Sequence, residues 1–272
     1  MGKIILIDSH VHLYPNYDMF DAFQYGFQNM KNAARKLFGS NNADNFIYIW
    51  LLAERADCRF FNNALNDSSL RNNDGIRIEP ASDGNTLVVT VSGQKTFYIV
   101  AGRQIVTKER LEVLSLASNL NFEDGQRTAD DLIMHIIDGG GIPVLNWAPG
   151  KWFFHRGKIV QQILEGRSSA HLFIGDTPLR NTLWPEPHLM KEATRRGIRI
   201  LAGSDPLPFD GEEKYIGSYG FHLTGEFDSD KPGDSIRTLL RDPETRASFF
   251  GKRNNLFAFF LRQSRIMTAK NR

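Results

Sequence analysis

The chain has 272 residues, 41% hydrophobic and 24% charged, an ordinary globular balance that can bury a sizeable core without covalent staples. Its 33 Lys and Arg against 31 Asp and Glu leave a net charge of +2, so the basic surplus of a nucleic-acid-binding surface is missing. The single cysteine, Cys58, excludes an internal disulfide framework and suits a reducing compartment. No stretch approaches the about 18 apolar residues that a membrane span needs.

The start, MGKIILIDSH, holds an apolar run too short for a secretory signal, and Leu6 breaks the myristoylation pattern that Gly2 would open. A soluble, cytoplasmic protein is expected. Residues 3–8 (KIILID) read as a first strand, and Phe20, Phe23, Phe27, Met30, Ala34 and Leu37 recur at helical spacing after it. Residues 46–53 (FIYIWLLA) read as a second strand. Residues 76–100 alternate around DGN and SGQ turns, which predicts a small antiparallel hairpin or meander.

Further strands are expected at 97–102, 111–117, 141–147, 170–176 and 198–205. Residues 128–141 open on a Thr cap and stop on glycines, and 186–198 end at Gly197 with basic residues in the last turn, so both read as helices. Residues 211–223 (GEEKYIGSYGFHL) are Gly-rich without the phosphate-loop pattern and are expected to form a loop. Residues 246–263 read as an amphipathic helix whose aromatics cover core. The strands are mostly continuous apolar runs, the pattern of strands buried on both faces and paired in parallel. The whole of 1–272 is expected to be one α/β domain: a single distorted TIM-like β/α barrel of about seven strands, with an antiparallel β insertion at about 76–100. In that architecture the C-terminal strand ends carry the chemistry.

Two motifs stand at strand ends. Asp8, His10 and His12 form D-x-H-x-H directly after the first apolar run, and alternation along an extended segment would put all three on one face. Two imidazoles so placed can grip a divalent ion, and the carboxylate can ligate it or orient a ring. Asp205, in ILAGSDP, is a second strand-end carboxylate, able to ligate a metal or accept a proton from its bound water. His135, His171 and His188 read as structural, as does Cys58.

LIDSHVHLYP together with RILAGSDP resembles the metal-dependent hydrolase barrels, namely the amidohydrolase superfamily and, more closely, the PHP (polymerase and histidinol phosphatase) family. The resemblance implies that His10, His12 and Asp205 are metal ligands. The PHP pattern would place further ligands where this chain has Glu54, Arg103 or Gln104, Asn146 and Trp147, and Leu207. One divalent ion (Zn, Mn or Fe) is therefore expected on His10, His12, Asp205 and Glu54, with Asp205 and Asp8 as catalytic carboxylates.

Cations and tryptophans stand where ligands are lost. Arg103, Lys151 and Arg180 could hold an anionic substrate, with Trp147 as an apolar wall and Asp176 beside them. Alternatively these cations pair with Asp176 and Asp205 as internal salt bridges. The resemblance implies a divalent-metal-dependent hydrolase acting on a small anionic phosphoester, with C–N hydrolysis of the amidohydrolase type as one alternative. The other is a degenerate, non-catalytic barrel that binds a small anion or a protein partner. Neither nucleic-acid nor membrane partners are expected.

Overall fold

A computed structural model describes residues 2–39, 46–67, 72–73, 75–93 and 95–270. In chain order they form β1 (Lys3–Val11), α1 (Met19–Phe38), β2 (Phe46–Leu52), α2 (Phe60–Asn66), β3 (Asn72–Asn73), β4 (Ile76–Pro80), β5 (Thr86–Val91), β6 (Lys95–Val100), β7 (Gly102–Val106) and β8 (Glu112–Leu116). There follow α3 (Ala129–Asp138), β9 (Ile142–Asn146), α4 (Phe154–Glu165), β10 (Phe173–Asp176), α5 (His188–Arg195) and β11 (Ile200–Ala202). The chain closes with β12 (Tyr219–Gly225), α6 (Pro232–Arg241), β13 (Ser248–Gly251) and α7 (Leu256–Lys270).

The strands form two mixed sheets, ordered β13-β12-β1-β2-β6-β5-β4-β3 and β11-β10-β9-β8-β7, and neither closes into a barrel. The single seven-stranded barrel expected from the sequence is therefore corrected. The physical reason lies in strand edges. Both edges of β1 are taken, by β2 in parallel and β12 antiparallel, and β2 is flanked by β1 and β6. The five-stranded sheet thus cannot ladder onto either strand. Among the described residues its contacts with the larger sheet include a parallel bridge, Glu54 to Arg103, and a hydrogen bond from the Asp205 N–H to the His10 carbonyl, 2.9 Å, beside one from Ser9 Oγ to the Ala202 carbonyl, 2.9 Å.

Pairing is also less uniform than continuous apolar runs suggest. β9, β10 and β11 are parallel, whereas β7, β8 and β9 are antiparallel. The strands at 76–100 are antiparallel as read, but β6 also pairs in parallel with β2 and is integral to the larger sheet. Residues 219–223 of the expected loop instead belong to β12, whose Phe221 and Leu223 alternate into the core. The final helix begins at Leu256, because Ser248–Gly251 pairs with β12 first.

Three apolar layers hold this arrangement. α1 is capped by Asp18, which accepts from the Asp21 N–H, and buries Phe23, Phe27 and Met30 with Trp50 and Phe97 of the larger sheet. Ile5, Ile7, Ile49 and Leu51 from one sheet meet Leu114, Val144 and Leu201 from the other in a second layer. α3, α4 and α5 cover the outer face of the smaller sheet through Leu132, Val160 and Met190. No helix of the described residues is long and apolar enough to cross a membrane.

Candidate metal centre

The site is built where the C-terminal end of β1 meets the segment after β11. Against β2, Asp8 pairs with Trp50 and Val11 with Leu52, so β1 carries one extra residue between them. This bulge changes the side-chain alternation. Asp8 therefore does not share a face with the histidines, as simple alternation predicts. Its carboxylate instead accepts the backbone N–H groups of Ser204 and Gly217, both at 2.8 Å, and that of His10 at 3.2 Å. Burial pushes the Asp8 carboxyl up to about 6, against the lowering effect of these bonds.

His10 and His12, each about 2% exposed, turn their Nε2 atoms toward one another at 3.0 Å. Asp205 Oδ1 lies 3.5 Å from both nitrogens. The three form the group of possible ligands found among the described residues. Donor atoms bound at the usual roughly 2.1 Å from a common ion stand about 3–3.5 Å apart, so the donor set fits a single divalent ion. Gln104 adds a neutral oxygen, its Oε1 3.0 Å from His10 Nε2. Both Nδ1 atoms are buried without a partner among the described residues, so Nε2 is the atom through which each ring is engaged.

Burial works against ionisation of Asp205, but His10, His12 and Arg262 overcome it and hold the carboxyl far below the usual carboxylate range. Burial lowers His12 below the usual imidazole value, opposed by Asp205. Two imidazoles and an ionised carboxylate aimed at one point make a preformed cation site, since a cation relieves the repulsion among their lone pairs.

The other sequence-derived candidates lie apart. Glu54 is not brought into the cluster; its Oε1 accepts the Phe61 N–H at the start of α2, 2.8 Å, and burial pushes its carboxyl up to about 7. Arg180 clasps Asp176 with Nε at 2.8 Å and Nη2 at 2.6 Å, and the Tyr219 hydroxyl donates to the same carboxylate at 3.1 Å. Lys151 pairs with Glu112 at 2.5 Å. Trp147 packs edge-on to Trp184 in the layer beneath the helices rather than lining the cluster. Arg103 is buried, and strand alternation turns it to the opposite face of β7 from Gln104.

The structure also brings in residues the sequence did not single out. Tyr14 stacks on His12 with ring centroids 5.2 Å apart, and the Arg55 guanidinium lies over the Tyr14 ring at 5.9 Å. Arg55 directly follows Glu54 at the end of β2, and strand-end position was its only signal. A cavity of about 690 Å³ opens at the other end of the smaller sheet, lined by Arg196, Arg199, Arg241 and Arg246. It is remote from the cluster. Arg199 and Arg241 there donate to carbonyls at the ends of α6 and α3, a capping role.

No protein-family model and no curated protein sequence matches the chain. Among solved structures, the fold is similar to that of PsfC from Pseudomonas syringae PB-5123, with 15% identity, 92% of each chain covered and a TM-score of 0.57. It is also similar to the lesion-specific endonuclease PfuEndoQ from Pyrococcus furiosus, with 13% identity and a TM-score of 0.50. That match covers 90% of this chain but 57% of the endonuclease. A complex of Endonuclease Q with a 27-mer duplex carrying an abasic lesion matches at 12% identity and a TM-score of 0.46, over 89% and 57% of the two chains. At these identities the likeness is one of fold alone.

Proposed function

We propose that the protein is a divalent-metal-dependent hydrolase that acts on a phosphoester. The observation that carries this reading is the convergence of His10 Nε2, His12 Nε2 and Asp205 Oδ1 within the 4.8 Å span of one ion. His10, His12 and Asp205 would hold the ion, leaving further positions open as catalytic sites do. A divalent ion bound there would supply an acidified water at neutral pH. Asp205, ionised well below neutrality, serves as ligand rather than general base, because so weak a base removes protons poorly. Gln104 Oε1, 3.0 Å from His10 Nε2, offers a further oxygen toward the same point, and Asp8 fixes the bulge that aims both histidines. Arg55, half-exposed beside Tyr14, offers a guanidinium for an anionic oxygen of the substrate. The phosphoester class is supported by the fold likeness to a lesion-specific endonuclease and by that cation.

A non-catalytic module that binds an anion is the second reading, favoured by the buried Arg180–Asp176 ion pair at the end of β10. Elemental analysis of the purified protein, beside a His10→Ala/His12→Ala variant, separates the two. Near-stoichiometric Zn, Mn or Fe that is lost in the variant supports the hydrolase, and a panel of phosphomonoesters, phosphodiesters and amides then assigns the bond cleaved. Absence of metal from the wild type, even after reconstitution, overturns it.

A further inference from the structure

Asp205 adopts φ +47°, a left-handed conformation that costs a non-glycine residue energy unless its surroundings enforce it. Two hydrogen bonds bracket the residue. Its N–H donates to the His10 carbonyl at 2.9 Å, and its own carbonyl accepts from Arg262 Nη2 at 2.9 Å. Arg262 comes from α7, more than fifty residues later in the chain. The same Nη2 donates to Glu212 Oε2 at 2.7 Å, and both side chains are almost fully buried. Glu212 Oε2 in turn accepts the Leu207 N–H at 3.3 Å, while the Leu207 carbonyl accepts from the Tyr17 hydroxyl at 2.5 Å. The Arg262 guanidinium lies over the Tyr215 ring at 5.3 Å.

We propose that Arg262 is a positioning residue: with Glu212 it clamps the 205–212 segment so that the Asp205 carboxylate is held against His10 and His12. A buried ion pair is a poor source of net stability, since desolvation offsets most of its attraction. Its return here is a fixed backbone at the one cluster residue that comes from outside β1. One terminal nitrogen, Nη2, reaches a carbonyl and a carboxylate together while the planar guanidinium lies over the Tyr215 ring, a stacked orientation that a lysine ammonium does not reproduce. α7 thereby completes the cluster without supplying a ligand to it.

The test compares wild type, Arg262→Lys and the charge-balanced Arg262→Met/Glu212→Gln variant by Zn2+ titration calorimetry, by 15N spectra of the histidine rings and by urea denaturation. The double variant leaves no buried charge unpaired, and the lysine variant remains available if the double variant does not fold. Zn2+ affinity is expected to fall about 10–100-fold in the double variant, the usual effect of losing an outer-shell partner, and by less in the lysine variant. The His10 and His12 ring signals are expected to move in the same variants. Unchanged affinity and unchanged ring signals in a folded variant, whatever happens to the urea midpoint, overturn the inference. The affinity arm rests on the proposed function. If wild type takes up none of Zn2+, Mn2+ and Fe2+, that function fails, and the ring signals of the metal-free protein still decide whether Arg262 holds Asp205.

Discussion

Glu54 shows how one buried carboxyl changes meaning between sequence and structure. Its position at a strand end suggests a ligand, but its side chain is spent on the Phe61 N–H and shielded from solvent. Burial pushes its carboxyl up to about 7, from an ordinary 4.5, so between those values the folded protein keeps a proton that the unfolded chain releases. Stability is therefore lost as pH rises from 4.5 to about 7 and is flat above. Glu54→Gln removes that titration. The stability of the variant relative to wild type is expected to grow by about 3 kcal/mol across the window, read from urea unfolding at several pH values. A difference independent of pH would show that Glu54 is ionised throughout. Cys58 follows the same logic: burial pushes its thiol up to about 12, consistent with a packed residue rather than a nucleophile.

At the scale of elements, helices were legible wherever a cap and an apolar face agreed. Thr128 caps α3 by accepting the Asp131 N–H, and Leu132, Ile133 and Ile136 lie on the buried face. Thr128→Ala is expected to lower stability by about 1 kcal/mol without disturbing metal content, measured by denaturation and elemental analysis. A loss well beyond that would mean Thr128 does more than cap. Most strands were legible in existence but not in direction, because a continuous apolar run does not encode whether its neighbour is parallel; β7 and β13 were not read as strands. β12 was missed for another reason. Its glycines suggested a loop, yet Gly220 allows the close approach to β1, where a Cβ would stand 2.2 Å from the Ile7 carbonyl oxygen. The β1 bulge carries no sequence signature either. It is fixed by pairing with β2 and by the backbone groups that reach Asp8 from residues 204 and 217.

For the molecule as a whole, the decisive contacts are those between the two sheets. At one seam Gly203 passes so close to β1 that an added Cβ would lie 2.4 Å from both the His10 Cβ and the His10 nitrogen. Gly203→Ala must therefore push the seam apart. Overpacking of this kind costs about 1–3 kcal/mol, and here it falls on a proposed ligand. Both a lower urea midpoint and weaker Zn2+ binding are expected. At the other seam a Cβ on Gly102 would meet the Leu52 carbonyl oxygen at 2.2 Å. Retention of wild-type metal affinity in a folded Gly203→Ala protein would show that the cluster does not depend on the seam.

The sequence by itself determined the α/β class, the helices with matching caps and faces, and the two strand-end motifs that supply His10, His12 and Asp205. These are local properties: side-chain period, capping chemistry and the donor atoms of each residue. Tertiary structure alone decided that the sheets stay open, that Asp8 and Glu54 turn to backbone N–H groups, and that Arg180 and Lys151 are paired. It also brought Gln104, Arg55 and Arg262 to the cluster or its edge. Each of those outcomes depends on which strand edge is already occupied and which buried polar group lacks a partner. Both are settled only when segments distant in the chain compete for the same hydrogen bonds.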